Sequence, residues 1–223
     1  MFGNDTILEC PHCGHKLIRI CDFSTMIRTE YSDGSEFAFG GEEVPKISKC
    51  PNCKSYTWLD KLEEFFSYPW QERLFVRYHE LDEVHIAELL NIDDYFQSIA
   101  CGVAKEVDEL RYVRLRIWWE YNKRIRDKDN LDLLFDGNDD YLRWKDNCEG
   151  LLQLLDEMNK KDKYYIAELY RNLGDFSNCV RILLSITKEP KRLYYTNKYR
   201  FYWYKSLYEA CCNKNRWLIK ILY

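Results

Sequence analysis

Glycine and proline are scarce in this 223-residue chain, at nine and five residues, and no glycine precedes a Lys-Ser or Lys-Thr pair. A phosphate-cradling P-loop is therefore excluded. The strand-to-helix nucleophile elbow Gly-x-Ser-x-Gly is missing too. Only four histidines are present. Two of them, in His79-Glu80-Leu81-Asp82-Glu83-Val84-His85, stand six positions apart rather than the four that place both imidazoles of a zinc protease on one helical face. Asp127-Lys128-Asp129-Asn130-Leu131-Asp132 begins like a calcium loop but lacks the third ligand, the mid-loop glycine and the closing glutamate. Long apolar runs are absent, which excludes a membrane-spanning helix. The opening Met1-Phe2-Gly3-Asn4-Asp5 has neither the basic start nor the apolar stretch of a secretory signal, so a cytoplasmic location is expected. With no constellation that meets the positional tests for catalysis, the expectation is a protein that is not an enzyme.

Cysteine, by contrast, is plentiful: ten residues, four of them in two knuckles, Cys10-Pro11-His12-Cys13 and Cys50-Pro51-Asn52-Cys53. Each knuckle sets two thiols one tight turn apart, and 36 residues separate the pairs. Two such pairs converging make a tetrahedral four-thiolate site, the preferred surround of structural zinc, so Cys10, Cys13, Cys50 and Cys53 are expected to hold one zinc ion per chain. His12 and His15 are rival ligands, but four thiolates already complete the coordination. A catalytic ion would need an open fourth position, and a thioredoxin-like use of the pairs would need a βαβ surround that the sequence does not offer. Cys21, Cys101, Cys148, Cys179, Cys211 and Cys212 are scattered and read as small buried hydrophobes.

Short strands are expected on each side of both knuckles: Thr6–Glu9, Lys16–Ile20, Lys46–Lys49 and Ser55–Leu59. Asp33-Gly34 marks a hairpin tip between them, with Phe37-Ala38-Phe39 as a further strand. So small a piece cannot bury enough apolar surface by itself, and the metal must supply folding energy. From Lys61 onward a helical period is expected. Ser67-Tyr68-Pro69 reads as a cap near a helix start, with short helices around 70–79, 82–91 and 94–101. Val103, Val107, Leu110, Val113, Ile117, Tyr121 and Ile125 form the apolar stripe of a long helix whose flanking arginines read as solvated. Asn138-Asp139-Asp140 offers caps for a helix to about Asn159, with Leu142, Leu151, Leu152, Leu154 and Leu155 as core candidates. Lys163, Ile166, Ala167, Tyr170, Gly174, Cys179 and Leu183 follow the offsets of one tetratricopeptide unit at about 163–190, with Pro190 one position early. Phe201, Tyr204, Tyr208 and Cys211 form a last stripe. The expected class is α+β: a small β zinc ribbon over residues 1–60, then a mainly α-helical, tetratricopeptide-like domain over 61–223.

In Cys10-Pro11-His12-Cys13-Gly14, Tyr31-Ser32-Asp33-Gly34, Lys49-Cys50-Pro51-Asn52-Cys53, Leu115-Arg116-Ile117-Trp118-Trp119 and Ala167 to Phe176 the chain resembles a group of uncharacterised bacterial proteins. These join an N-terminal zinc ribbon to a helical, tetratricopeptide-like half. The resemblance implies zinc and a cytoplasmic bacterial setting, and brings no reaction with it.

Charge is segregated along the chain. Residues 61–150 are acidic, whereas nine basic residues follow Thr187 against only Glu189 and Glu209. An oppositely charged protein partner, or a second copy of the chain, is the expectation from that asymmetry. A zinc-containing protein-interaction module is therefore the first functional reading. The alternative is a single-stranded nucleic-acid binder using the ribbon and the basic, aromatic segment 188–223.

Overall fold

The computed structural model describes residues 4–21, 28–38, 44–72, 84–127, 134–187 and 197–221. Contacts divide the chain into two units, residues 1–27 with 38–103, and residues 28–37 with 104–223.

The first unit is built on a four-stranded sheet. Strand β1 (Asn4–Glu9) pairs antiparallel with β2 (Lys16–Arg19), placing Ile7 opposite Ile18 and Leu8 opposite Leu17. Because side chains alternate across a strand, the isoleucines face one side and the leucines the other. Both faces are covered: Ile7 and Ile18 pack with Ile20, Tyr68 and Val84, while Leu8 and Leu17 pack with Leu59 and Ala87. A separate hairpin pairs β5 (Ile47–Lys49) with β6 (Tyr56–Trp58). The four strands expected to flank the knuckles are therefore all present.

Beyond residue 60 the first unit departs from the helical expectation. Ser67-Tyr68-Pro69 is the end of strand β7 (Glu64–Pro69), antiparallel to β1, not a helix start. As an edge strand it pairs on one side only, where a closing proline, which has no N–H to donate, is tolerated. The segment expected as a helix around 82–91 is extended where it is described. Val84, Ala87 and Leu90 are all buried at a helix-like spacing of three. Yet His85–Ile86, strand β8, runs parallel to β2, and the Ala87 N–H donates to the Ile18 carbonyl. A helix does follow, α1 (Ile92–Ala100), capped by Asn91, whose side chain accepts from the Asp94 N–H. Asp94 ties that helix to the β5–β6 hairpin, accepting from Lys49 at 2.7 Å and from the Tyr56 hydroxyl at 2.8 Å.

The second unit is helical: α2 (Val107–Asp127), α3 (Asn138–Gln153), α4 (Asp162–Leu173), α5 (Phe176–Ile186) and α6 (Lys198–Cys212). Helix α2 buries Val113, Ile117, Trp118 and Tyr121. Arg116, expected on a solvated flank, is buried and lies 3.5 Å from Glu120. In α3 the core positions are Trp144, Cys148 and Leu151, whereas Leu142 faces solvent. Gly174, at φ 84°, ends α4 in a left-handed turn that suits glycine, and Asp175 at once caps α5 by accepting from the Asn178 N–H. Ile166, Ala167, Cys179, Ile182 and Leu183 of this helix pair pack with Trp203, Tyr204, Leu207 and Cys211 of α6. Of the expected C-terminal stripe Tyr204 and Cys211 are buried and Tyr208 is exposed, with Trp203 and Leu207 joining the buried face. Cys179 and Cys211 are buried in this core as expected, and are paired as a disulfide, which was not expected. Cys148 is a buried thiol as expected, while Cys101 and Cys212 are exposed.

The Asp33-Gly34 turn belongs to this helical unit. It joins β3 (Arg28–Glu30) to β4 (Glu36–Ala38), the hairpin turn expected there, and Ser32, Asp33 and Ser35 are buried. Trp119 donates to the Asp33 carbonyl, Asn122 to its carboxylate, and Ser32 to Glu168. A Cβ on Gly34 would stand 2.8 Å from the Tyr165 ring, so the turn needs glycine both for φ 75° and for space.

Candidate metal centre

Two turns of like construction deliver four thiols. Cys10 and Cys13 lie between β1 and β2, and Cys50 and Cys53 between β5 and β6. In the first, the Cys10 N–H donates to the His15 carbonyl at 2.8 Å and the Gly14 N–H to the Cys10 carbonyl at 2.9 Å. In the second, Cys50 donates to Ser55 at 2.8 Å and Lys54 to Cys50 at 2.9 Å. Each turn closes through a left-handed residue, Gly14 at φ 71° and Lys54 at φ 61°.

The sulfurs converge. Cys10 Sγ lies 3.7 Å from Cys53 Sγ, Cys13 Sγ lies 3.7 Å from Cys50 Sγ, and all four are within 4.8 Å of one another. Four sulfurs placed tetrahedrally at ~2.3 Å from one ion would be about 3.8 Å apart, so the spacing fits a single four-coordinate metal. Cys10 and Cys50 are buried, Cys13 and Cys53 exposed, so the cluster sits at the surface of its unit. Among the described residues it is the only group of three or more metal-ligating side chains brought together.

Hydrogen bonding and burial pull the thiols in opposite directions. Burial pushes Cys50 up to about 12, although the Cys53 and Asn52 N–H groups point at its sulfur and favour the thiolate. Cys53 is drawn down to about 6, chiefly by the Ser55 hydroxyl at 2.9 Å and then by the Ser55 N–H. Oriented donors around sulfur are what a metal-thiolate centre needs to spread its negative charge, and a bound cation removes the cost of burying thiolate. Ser55 stands two residues after the last cysteine, and nothing in the knuckle spacing singled it out.

The rival histidines are elsewhere. His15 Nε2 lies 3.0 Å from His85 Nδ1, their rings tilted at 42°, and His12 is exposed on its knuckle; neither joins the sulfurs. His79 and Lys128 to Asp132, which figured in the rejected protease and calcium readings, lie outside the described residues, as does Pro190. An open cavity of about 580 Å³ adjoins the first knuckle, lined by Glu9, His12, Lys61, Glu63 and Phe65 among others. No described helix is long and apolar enough to cross a membrane.

Comparison of the chain with protein-family models, with curated proteins and with solved structures returned no match. The reading of the centre therefore rests on its own geometry.

Proposed function

We propose that the protein is a non-enzymatic interaction module in which Cys10, Cys13, Cys50 and Cys53 hold one structural zinc ion. The convergence of four thiols at tetrahedral spacing carries this reading. Zinc is favoured over other ions by an all-sulfur donor set on two short knuckles. Bound there, it would cross-link the two hairpins, and its four protein ligands would leave no position for substrate. The helical unit, with its tetratricopeptide-like pair α4–α5, would supply the partner-binding face, in a cytoplasmic and bacterial setting. Self-association or an oppositely charged protein partner follows from the segregated charge, acidic in the middle and basic at the end.

Hydrogen exchange with and without a zinc chelator tests this. Chelation should release the amides of β1, β2, β5 and β6 first, with α2 to α6 still protected. Uniform loss of protection, or none, would contradict the reading.

A second reading, single-stranded nucleic-acid binding through segment 188–223, is favoured by one observation: Tyr199, Arg200 and Trp203 line a cavity. Affinity should then fall steeply with salt, and replacing Lys198, Arg200 and Lys205 should flatten that slope.

A further inference from the structure

The cavity on the helical unit deepens that second reading and does not depend on the metal centre. Its volume is about 450 Å³, within the ~300–1,000 Å³ of small-molecule sites. Four aromatic side chains contribute to its wall: Tyr164 and Tyr165 of α4, and Tyr199 and Trp203 of α6. Two of the rings are fixed by their neighbours. Tyr164 meets Trp203 edge-on with centroids 4.6 Å apart, and Tyr165 meets Trp118 edge-on at 6.3 Å. Tyr199 is 43% exposed and lines the same cavity.

The charges lining the same cavity do not cancel. Asp162 is buried and committed to Arg111 at 2.5 Å, so that pair is internally neutral. Lys161 and Arg200 then stand against Glu36 alone. Among the described residues neither cation is engaged in an ion pair. Arg200 also lies near enough to Tyr164 for its charge to oppose the rise that burial imposes on that hydroxyl's pKa. An aromatic lining with a surplus of exposed cations selects against apolar ligands and against cations. Inorganic phosphate would leave the aromatic wall unused. The ligand chemistry that uses both is a planar base joined to a phosphate.

We propose that this cavity binds a nucleotide unit, the base against Tyr199 and Trp203 and the phosphate against Arg200 and Lys161. A free mononucleotide and one residue of a single strand present the same chemistry, and the experiment separates them.

The full-length protein is titrated with AMP, adenosine, inorganic phosphate, an octanucleotide of uridine and a phosphotyrosine peptide, following tryptophan fluorescence and heat. AMP should bind and quench fluorescence, with adenosine and phosphate each weaker by about tenfold or more. Tyr199→Ala and Arg200→Glu alter exposed side chains and should each weaken AMP about tenfold without changing the circular dichroism spectrum. An octanucleotide that binds no more tightly than AMP assigns the site to free nucleotides. One that binds much more tightly, with a steeper salt dependence, assigns it to a strand. The proposal is overturned by no response to AMP or the octanucleotide, by binding that both variants leave intact, or by tighter binding of the phosphotyrosine peptide. None of these outcomes bears on the zinc reading, which involves neither variant.

Discussion

Arg171 and Glu168 form a salt bridge within α4 in which neither side chain has any exposure, with Arg171 Nε donating to Glu168 Oε2 at 2.8 Å. The pair is also the clasp of the helical unit. Ser32, from the turn between β3 and β4, donates to Glu168 at 2.6 Å, and Arg171 donates to the Asn215 carbonyl near the end of the described chain. Stretches far apart in sequence are thus held by one buried charge pair.

Removing one partner should therefore be costly. Glu168→Gln or Arg171→Met leaves a buried charge uncompensated, and each should destabilise the protein by about 3–5 kcal/mol. The double substitution should cost less than the sum of the two. Urea unfolding monitored at the helical signal measures all three, and additive losses would show that the two residues act independently.

Asp33 gives the helical unit a pH dependence of unusual sign for a carboxylate. Burial raises its pKa, outweighing the donors Ser35 and Asn122 that favour the ionised form. An acid whose folded pKa exceeds its unfolded value of ~3.9 binds more protons when native. Its contribution is complete below that value and is lost as pH rises through the raised folded pKa. Asp33→Asn, which keeps an acceptor for Ser35 and lets the Asn122 amide turn over, should remove this component. Thermal unfolding of both proteins from pH 4 to pH 8 should show a shallower rise, or a steeper fall, for the parent than for the variant.

The two knuckles differ at one equivalent position, and the difference should be measurable. Lys54 adopts φ 61° where the first knuckle has Gly14 at φ 71°. A left-handed conformation costs a non-glycine residue roughly 1–2 kcal/mol, so Lys54→Gly should stabilise the first unit by up to that amount. Gly14→Ala should do the reverse, since its Cβ would also stand 3.2 Å from a Glu9 carboxylate oxygen. Denaturation midpoints of the two variants moving in the same direction would refute the equivalence of the turns.

These residues also mark where sequence was a sufficient guide and where it was not. The knuckles could be read because Cys-Pro-x-Cys is a local device whose chemistry is fixed by two residues three apart. The turn at Asp33-Gly34 was legible as a turn for the same reason. Its burial was not, because Glu168 and Asn122 meet it through pairings no local pattern encodes. The segment around 82–91, expected as a helix, departed for a different reason. A spacing of three suits a helix, but in so short a stretch the parallel edge of β2, completed by the Ala87 N–H, decides the outcome. The disulfide partners Cys179 and Cys211 lie 32 residues apart on different helices, and only the packing of α5 on α6 brings them together.

Native mass spectrometry of the intact protein, purified without added metal or chelator, tests the central claim most directly. The four converging sulfurs predict one zinc ion per chain, with Cys10, Cys13, Cys50 and Cys53 protected from thiol reagents until the ion is removed. A metal-free mass, with all four cysteines reactive in the folded protein, would contradict it.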